Sequence, residues 1–429
     1  MIVNFSIQNF GSVKEKQTLS FEADSSDHLQ DTYVVETGGM RLLKLALIYG
    51  ANATGKTTII KALDFLRHLV LNPKVTKNEG LGFKPFMFDS NTPQENSVLS
   101  LEFVQKEIRY YYEVEFTQEA IVKEILNNYN PTKANVFKRE TDLANQYTEI
   151  SFGSKIKKDR SIEKALEANT LWNDTVLGGF LKTNINIDEL REVIDWFRIH
   201  LMPIVLPRTG LESYISQRIN QGTIDKSLVI SILKKADLHI SDIILKNDPK
   251  YDSDRLVVNL SEKVEEPSEE LKQFFERRKS RFLIAEFEHV VNDQSYMLPL
   301  DSESQGTKRY YGFAGLLALL IKESCILPVD ELEASLHPDL FQHFLISFLI
   351  NSKHSQLIAT THYRELLDNK DIFRNDAIWF THKEKDCATN LYSLADFDSS
   401  VIRNTTNILN AYKSGKLRGT PNLGDYYID

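Results

Sequence analysis

The sequence predicts an α/β protein in which a mixed sheet is flanked by an antiparallel sheet and interrupted by an inserted helical subdomain. Three observations support this fold class. At residues 42–71 an apolar run leads into a glycine-rich loop and then into a helical pattern. Residues 97–117 alternate with a period of two, which is typical of antiparallel strands. From about residue 155 to about 280, apolar residues recur every three or four positions, which indicates helices.

The individual elements follow from these patterns in chain order. The first strands are predicted at IVNFSIQNF, KQTLSFEA and LLKLALIY. After the first helix, a passage rich in Pro, Gly and Asn precedes the alternating strands and IVKEILNNYN. Helices are predicted at SIEKALEAN, NIDELREVIDWFRIHL and DKSLVISILKKADLHISDIIL, with LKQFFERRKSRF as a charged helix candidate. Strands resume at RFLIAEFEHV and QSYMLPL, and short buried strands are predicted at ILPVD, QLIAT, AIWFTH and TNLYSL.

These elements predict three segments. Residues 1–154 form an N-terminal lobe with the glycine-rich loop, residues 155–282 a helical insertion, and residues 283–429 a C-terminal lobe. Two basic stretches stand out, ERRKSR at 276–281 and GKLRG at 415–419. A solvated helix face and a loop are the simpler interpretation of both.

Composition narrows the possible classes of protein. The formal net charge of −9 argues against a general nucleic-acid coat, because phosphate binding depends on clustered Lys and Arg. Two cysteines, Cys325 and Cys387, offer neither a disulfide framework nor metal-ligand spacing, which suits a reducing compartment. The first ten residues lack the pattern of a signal peptide. The longest apolar run, residues 312–321, is shorter than the roughly 20 residues that span a bilayer. We therefore expect a cytoplasmic protein without a membrane partner.

The glycine-rich loop, GANATGKTT, fits the pattern G-x-x-x-x-G-K-[ST] between a strand and a helix. Glycines let backbone N–H groups turn toward phosphates, and the helix N-terminus adds its dipole. Lys56 is expected to lie between the β- and γ-phosphates of ATP, and the Thr57 hydroxyl to bind Mg²⁺. The predicted nucleotide-binding residues are Gly50, Asn52, Ala53, Thr54, Gly55, Lys56, Thr57 and Thr58.

A pair of acids follows a second apolar strand in CILPVDELEASLHP. Asp330 ends the strand and is predicted to hold Mg²⁺ directly or through water. Glu331 is predicted to be the general base that deprotonates the attacking water. A turn with helix-capping acids is the alternative for this stretch. Glu333 is expected to be a surface or helix-cap residue.

Two further stretches complete the pattern. Ser304 to Thr307 form a small polar turn before an apolar helix, and Ser304 and Gly306 are predicted to contact a nucleotide. A plain helix cap is the alternative. The strand HSQLIATTH ends in His362, which is predicted to hydrogen-bond a γ-phosphate; a structural histidine is the commoner case for such a residue seen alone.

In combination, these motifs resemble the ABC-type, SMC-like ATPases of the OLD and RecF kind, within the prokaryotic AAA-labelled ATP-binding proteins. FSIQNFGSVKE resembles the family's first strand and turn, SESQGTKR its degenerate signature, VDELEASLHP its acidic strand, and ATTH its switch histidine. KKADLHISDI resembles part of the helical insertion, and NAYKSGKLRGTPNLGD the family's C-terminal ending. The resemblance covers most of the chain and is weakest from about 105 to 220. It implies an ABC-type P-loop NTPase head.

The resemblance implies that two chains sandwich two ATP molecules with Mg²⁺ and that hydrolysis opens the pair. Relatives of this kind often act in bacterial anti-phage defence, where the ATPase controls an effector such as a toxin or nuclease. The alternative is a repair-type ATPase of the RecF and SMC kind that binds DNA across the closed heads. A binding module with a vestigial site is less consistent with the sequence, because the motif residues Lys56, Asp330, Glu331 and His362 are all intact. A transporter motor is less consistent with the non-standard signature and the large insertion.

The sequence also departs from the family pattern. The glutamine that links Mg²⁺ to the attacking water in these ATPases could be Gln94 or Gln221, and the sequence does not distinguish them. Long coiled-coil arms and an acidic cluster like that of the Toprim nuclease are not recognisable. We therefore expect neither a chromosome-scale clamp nor nuclease activity from this chain.

Overall fold

The computed structural model describes residues 1–154, 156, 160–247, 283–369, 371–397 and 408–420. The chain divides into two compact units. Unit 1 comprises Met1–Pro207, Ser324–Leu332 and Lys353–Asp429, and unit 2 comprises Arg208–Glu323 and Glu333–Ser352. Each unit is a group of residues that contact one another more than they contact the rest of the chain. The three segments 1–154, 155–282 and 283–429 remain a prediction from the sequence.

Within the described ranges, the strands are β1 (Ile2–Gln8), β2 (Gln17–Ser20), β3 (Val34–Thr37), β4 (Met40–Leu43), β5 (Leu45–Tyr49), β6 (Ser97–Gln105), β7 (Ile108–Phe116), β8 (Ile121–Tyr129), β9 (Lys133–Asp142), β10 (Tyr147–Phe152), β11 (Ile240–Asn247), β12 (Leu283–Val291), β13 (Gln294–Pro299), β14 (Ile326–Val329), β15 (Gln356–Thr360), β16 (Ile378–Lys383) and β17 (Thr389–Ser393). The helices are α1 (Gln30–Tyr33), α2 (Lys56–Leu71), α3 (Arg160–Asn169), α4 (Val176–Leu181), α5 (Asp188–Asp195), α6 (Leu211–Asn220), α7 (Lys226–Lys235), α8 (Gln305–Lys322), α9 (Pro338–Asn351) and α10 (Ile408–Lys413). Shorter helical turns lie at Thr92–Gln94, Trp196–His200, Leu300–Ser302, Arg364–Asp368, Asn375–Ala377 and Leu394–Asp396.

A five-stranded sheet forms the centre of unit 1, in the order β14-β15-β5-β16-β17. The first four of these strands are parallel, and β17 is antiparallel to β16. Every residue of β5 is buried, as expected for a parallel strand that is covered on both faces. Because parallel strands end at the same edge, the glycine-rich loop after β5 lies beside the residues that follow β14 and β15.

A seven-stranded antiparallel sheet completes unit 1, in the order β10-β9-β8-β7-β6-β1-β2. The alternating pattern of residues 97–117 forms β6 and β7, which pair from Ser97 opposite Phe116 to Gln105 opposite Ile108. Strands β9 and β10 were not predicted from the sequence. Their alternation is partly masked by charged residues, since β9 carries Lys133, Lys138, Arg139, Glu140 and Asp142.

One buried amide side chain joins the two sheets. Gln356, at the start of β15, accepts a hydrogen bond from the Ile2 N–H of β1 at 2.6 Å. Its Nε2 donates to the Ile2 carbonyl at 2.9 Å and to the Leu43 carbonyl at 3.0 Å. Gln356 has no solvent exposure, so its polar atoms depend on these partners. The first strand of the chain is thereby fixed to the central sheet.

The predicted fold class is confirmed: the chain is an α/β protein with a mixed central sheet, a flanking antiparallel sheet and additional helices. The strand predictions at RFLIAEFEHV, QSYMLPL, ILPVD, QLIAT, AIWFTH and TNLYSL are confirmed as β12 to β17. SIEKALEAN and NIDELREVIDWFRIHL are helical over most of their length.

One helix prediction was too long. The pattern DKSLVISILKKADLHISDIIL was expected to be helical throughout, but α7 ends at Lys235 and β11 begins at Ile240. Asp237 and His239 have positive φ angles of 59° and 44°, which are incompatible with a continuous right-handed helix. Pairing of β11 with β12 then fixes the second half as a strand. The helix candidate LKQFFERRKSRF and the basic stretch ERRKSR lie outside the described residues.

Unit 2 combines helices α6 to α9 with the three-stranded sheet β11-β12-β13. Helix α8 is buried from Arg309 to Leu320. Two glycines on this helix permit close contact with α6: a Cβ at Gly312 would overlap the side chain of Leu211, and one at Gly315 would overlap that of Ile215. No helix in the described part of the chain is long and apolar enough to cross a membrane.

The glycine contact predicts a stability effect. Replacement of Gly315 by Ala should destabilise unit 2 by about 1–3 kcal/mol, because the new methyl group must displace Ile215. Urea unfolding of the parent chain and of Gly315→Ala, Ile215→Ala and the double variant would measure this. In the Ile215→Ala background, Gly315→Ala should cost little or even stabilise the helix. An equal cost in both backgrounds would contradict the close packing.

Candidate functional site

The glycine-rich loop lies between β5 and α2, as predicted. The backbone has positive φ at Ala53 (62°) and Gly55 (104°), and α2 begins at Lys56. The Lys56 ammonium group donates to the Gly50 carbonyl at 2.8 Å and to the Ala51 carbonyl at 3.0 Å. Lys56 is buried under the loop, whereas Asn52 and Ala53 are exposed at its tip. The loop therefore has the conformation of a phosphate cradle with its cation at the centre.

A layer of hydroxyl groups supports this loop. Thr54 Oγ1 lies 2.6 Å from Thr381 Oγ1 of β16. Thr389 Oγ1 of β17 donates to the Thr54 carbonyl at 2.8 Å and also lies 2.8 Å from Ser12 Oγ. Ser12 Oγ in turn lies 3.1 Å from Thr58 Oγ1 at the start of α2. Neutral hydroxyls thus fix the loop without adding charge to the site.

The same layer explains why both loop glycines are required. A Cβ at Gly50 would overlap Thr381 Oγ1, and one at Gly55 would overlap Thr389 Oγ1. The loop motif predicts the two glycines, but it does not predict Thr381 and Thr389. Hydroxyl residues on a late hairpin carry no motif, so nothing in the linear sequence indicated that they lie beneath the loop.

The turn after β1 also reaches the loop. Asn9, in a left-handed conformation with φ 51°, donates to the Thr92 carbonyl at 2.7 Å and accepts from the Phe86 N–H at 3.0 Å. Lys14 Nζ lies 2.9 Å from Asp89, and this hydrogen bond lowers the pKa of Asp89 to about 2. The N-terminal turn thereby ties the segment around residues 86–92 to the edge of the site.

Thr57 and Asp330 meet at the centre of the site. The Thr57 hydroxyl lies 3.0 Å from each carboxylate oxygen of Asp330, which is only 5% exposed. Mg²⁺ binds oxygen ligands at about 2.0–2.1 Å in octahedral geometry, so adjacent ligand oxygens lie about 3 Å apart. The spacing of Thr57 and Asp330 fits two adjacent ligands of such an ion. Among the described residues, no cluster of three His, Cys, Asp or Glu side chains forms a metal site made by the protein alone.

Glu331 follows Asp330 in an unusual backbone conformation. Its φ of 48° lies in the left-handed region, which costs roughly 1–2 kcal/mol for a residue with a side chain. The turn separates the two carboxylates: Asp330 is buried, whereas the Glu331 side chain is 44% exposed. His362 Nε2 lies 3.9 Å from Glu331 Oε1. The acid and the imidazole are therefore near each other and both accessible to a ligand.

Ser304 and Gly306 belong to unit 2. Ser304 Oγ accepts a hydrogen bond from the Thr307 N–H at 3.0 Å and caps the N-terminus of α8. The preceding Glu303 lies 2.8 Å from His289 of β12. The helix-cap interpretation of Ser304 is thus correct locally, and the first turn of α8 itself carries no acidic side chain.

The structure brings together Lys56, Thr57, Asp330, Glu331 and His362 within unit 1. It does not distinguish the two glutamine candidates. Gln94 lies exposed at the end of the turn Thr92–Gln94, and Gln221 follows α6 in unit 2. The role of either glutamine stays a prediction.

The hydroxyl layer predicts a specific effect of a glycine substitution. Gly55→Ala should lower the midpoint of thermal unfolding of unit 1, since the methyl group meets Thr389 and Ser12 as well as an unfavourable φ. Gly39→Ala is a matched control, because Gly39 has a φ of 72° but open space around its Cβ position. Because of this crowding, Gly55→Ala should lower the free energy of unfolding by about 1–3 kcal/mol more than Gly39→Ala does. Equal shifts would contradict the proposed support of the loop.

Comparisons with known proteins agree with this arrangement. The family profile described as "AAA domain, putative AbiEii toxin, Type IV TA system" matches residues 45–368, more than half of the chain. No curated protein sequence matches significantly.

An SMC head bound to the C-terminal winged-helix domain of ScpA aligns over 91% of this chain and 97% of its own, with 13% identity and a TM-score of 0.45. The SMC head domain from Thermotoga maritima aligns over 91% and 98%, with 13% identity and a TM-score of 0.38. Because both TM-scores are below 0.5, these two structures add nothing to the family match. From the profile match over residues 45–368, the chain belongs to this family of AAA domains.

Proposed function

We propose that the chain is a Mg²⁺-dependent ATPase that closes as a dimer around ATP and acts as a switch for a partner effector. One observation carries the ATPase assignment: Thr57 of the loop lies 3.0 Å from Asp330, and the next residue, Glu331, lies 3.9 Å from His362. A purely structural turn would not require a buried lysine, a hydroxyl, two acids and an imidazole at one sheet edge.

Each residue has a role in this proposal. Lys56 exchanges its contacts with the loop carbonyls for the β- and γ-phosphates of ATP. Thr57 and Asp330 would hold Mg²⁺, and the ion would neutralise phosphate charge. Glu331, exposed beside the buried Asp330, accepts a proton from the attacking water. His362 donates from its imidazole to a γ-phosphate oxygen.

The dimer is proposed from the second anion-binding element. The N-terminus of α8, an 18-residue helix, carries Ser304 and Gly306. Exposed backbone N–H groups at a helix N-terminus favour a phosphate. In ABC-type ATPases this turn completes the site of the opposite subunit, so the proposal assigns Ser304 and Gly306 to ATP held by a second copy.

The biological role is proposed from the family. The family description reads "putative AbiEii toxin, Type IV TA system", which supports a role connected with a toxin. Control of a separate effector in anti-phage defence is proposed from the resemblance of the sequence motifs. The repair-type alternative predicts stimulation by duplex DNA that fades as salt rises. Steady-state ATP hydrolysis with and without DNA, at low and moderate salt, separates these roles.

Replacement of Glu331 by Gln should reduce ATP turnover by about 10²–10⁴-fold while retaining ATP binding, because the amide keeps the shape but cannot accept the proton. Turnover and equilibrium binding of ATP are the two measurements. Glu333→Gln, the same change two residues later, should hydrolyse ATP at the parent rate. Lys56→Ala should lose binding. Parent-level hydrolysis by Glu331→Gln would show that the base is another residue.

Ser304→Arg should leave ATP binding by the isolated chain intact but block ATP-dependent dimerisation, because a bulky cation replaces the small cap at the α8 N-terminus. Light scattering after size-exclusion chromatography would measure the molar mass of each variant in the presence of ATP. All variants would also carry Glu331→Gln, so that ATP is retained. Ser304→Thr keeps the hydroxyl cap and should still dimerise. A dimer of normal mass in the Ser304→Arg variant would contradict the two-chain site.

A further inference from the structure

We infer that Thr360 is a positioning residue that sets both acids of the site through one hydroxyl group. Its side chain orients the Asp330 carboxylate toward the metal and holds the backbone turn that presents Glu331. This inference rests on the proposed ATPase function. It assigns the residue that makes the two adjacent acids behave differently.

Thr360 is the last residue of β15 and has no solvent exposure. Its Oγ1 donates to Asp330 Oδ1 at 2.7 Å and accepts from the Glu331 N–H at 2.8 Å. A threonine hydroxyl has one proton and two lone pairs, so one orientation satisfies both contacts. The proton must point at Asp330, because the other neighbour is itself a donor.

This hydrogen bond distinguishes the two oxygens of Asp330. Oδ1 receives the Thr360 hydroxyl, while Thr57 lies at 3.0 Å from both Oδ1 and Oδ2. The carboxylate therefore cannot rotate without losing Thr360. Oδ2, which does not receive the Thr360 proton, is the oxygen that we assign to a cation together with Thr57. An orienting partner of this kind typically changes metal affinity by about 10–100-fold when it is removed.

The turn at Glu331 depends on the same residue. The Thr360 side chain accepts the Glu331 N–H, and the Thr360 carbonyl accepts the following Leu332 N–H at 3.1 Å. Two successive backbone donors are thereby bound by one residue of the adjacent strand. A residue in the left-handed region persists where its surroundings hold it there, and Thr360 supplies that restraint. The exposed position of the base follows from this turn.

The neighbouring threonine provides a matched control. Thr361 is also fully buried, but its hydroxyl accepts from the Tyr363 N–H at 3.0 Å, beyond the acids. Thr360→Val and Thr361→Val each replace a buried hydroxyl by a methyl group of similar size. Thr360→Ser restores the hydroxyl at the first position. Thr360→Ala is a second variant without the hydroxyl, for use if Val does not fold.

The test measures binding of a non-hydrolysable ATP analogue as a function of Mg²⁺ concentration. Thermal unfolding without ligand confirms that each variant is folded. Thr360→Val, or Thr360→Ala in its place, should raise the half-saturating Mg²⁺ concentration by about tenfold and leave metal-free nucleotide affinity within about twofold of the parent. Thr360→Ser and Thr361→Val should match the parent chain.

The outcomes separate the two proposals. If the parent chain shows Mg²⁺-dependent binding and Thr360→Val has the same half-saturating concentration as Thr361→Val, the positioning role is wrong and the ATPase proposal stands. If metal-free and metal-dependent affinities fall together in Thr360→Val, the hydroxyl supports the loop in general and the specific role is also wrong. If the parent chain binds no nucleotide with or without Mg²⁺, both proposals fail.

Discussion

The parallel pairing of β5 with β15 and of β15 with β14 is the constraint on which the site depends. It places the glycine-rich loop, the two acids and the Thr360–His362 segment at one edge of a single sheet. Parallel strands cannot be joined by tight turns, so each must arrive from a distant part of the chain. The site therefore depends on pairing between distant parts of the chain. In return, rigid strand ends rather than loops set the distances between the polar groups.

Charge is distributed unevenly at this edge. Lys56 and Asp330 are buried, and each is held by neutral partners: backbone carbonyls for the lysine and threonine hydroxyls for the aspartate. Hydroxyl groups can donate to a carboxylate without neutralising its charge. Asp330 is therefore ordered and remains available to a cation, which an arginine partner in the same position would oppose. The Glu331 side chain, in contrast, is 44% exposed.

The sequence was sufficient to predict the fold class, most strands and the places of the loop and acid motifs at strand ends, because these are local signals. The strand LALIY is uniformly apolar, and its loop has a fixed glycine spacing. The sequence could not predict that Thr381 and Thr389 lie beneath the loop or that Thr360 links both acids, because these contacts follow from strand order and register. The apolar spacing of the sequence also predicted that α7 continues through the residues that form β11. The helix ends instead, because Asp237 and His239 have positive φ angles.

The support of the loop has a consequence for synthesis of the protein. Thr381 follows its loop partner Thr54 by 327 residues, and Gln356 follows Leu43 by 313. At about 5–20 residues per second, the ribosome needs roughly 15–65 s to bring these partners out after the loop has emerged. For most of that interval the apolar β5 lacks both neighbouring strands, β15 and β16. A nascent chain therefore cannot form the supported loop early, and its first apolar strand is exposed to chaperones until the hairpin of β16 and β17 has been made.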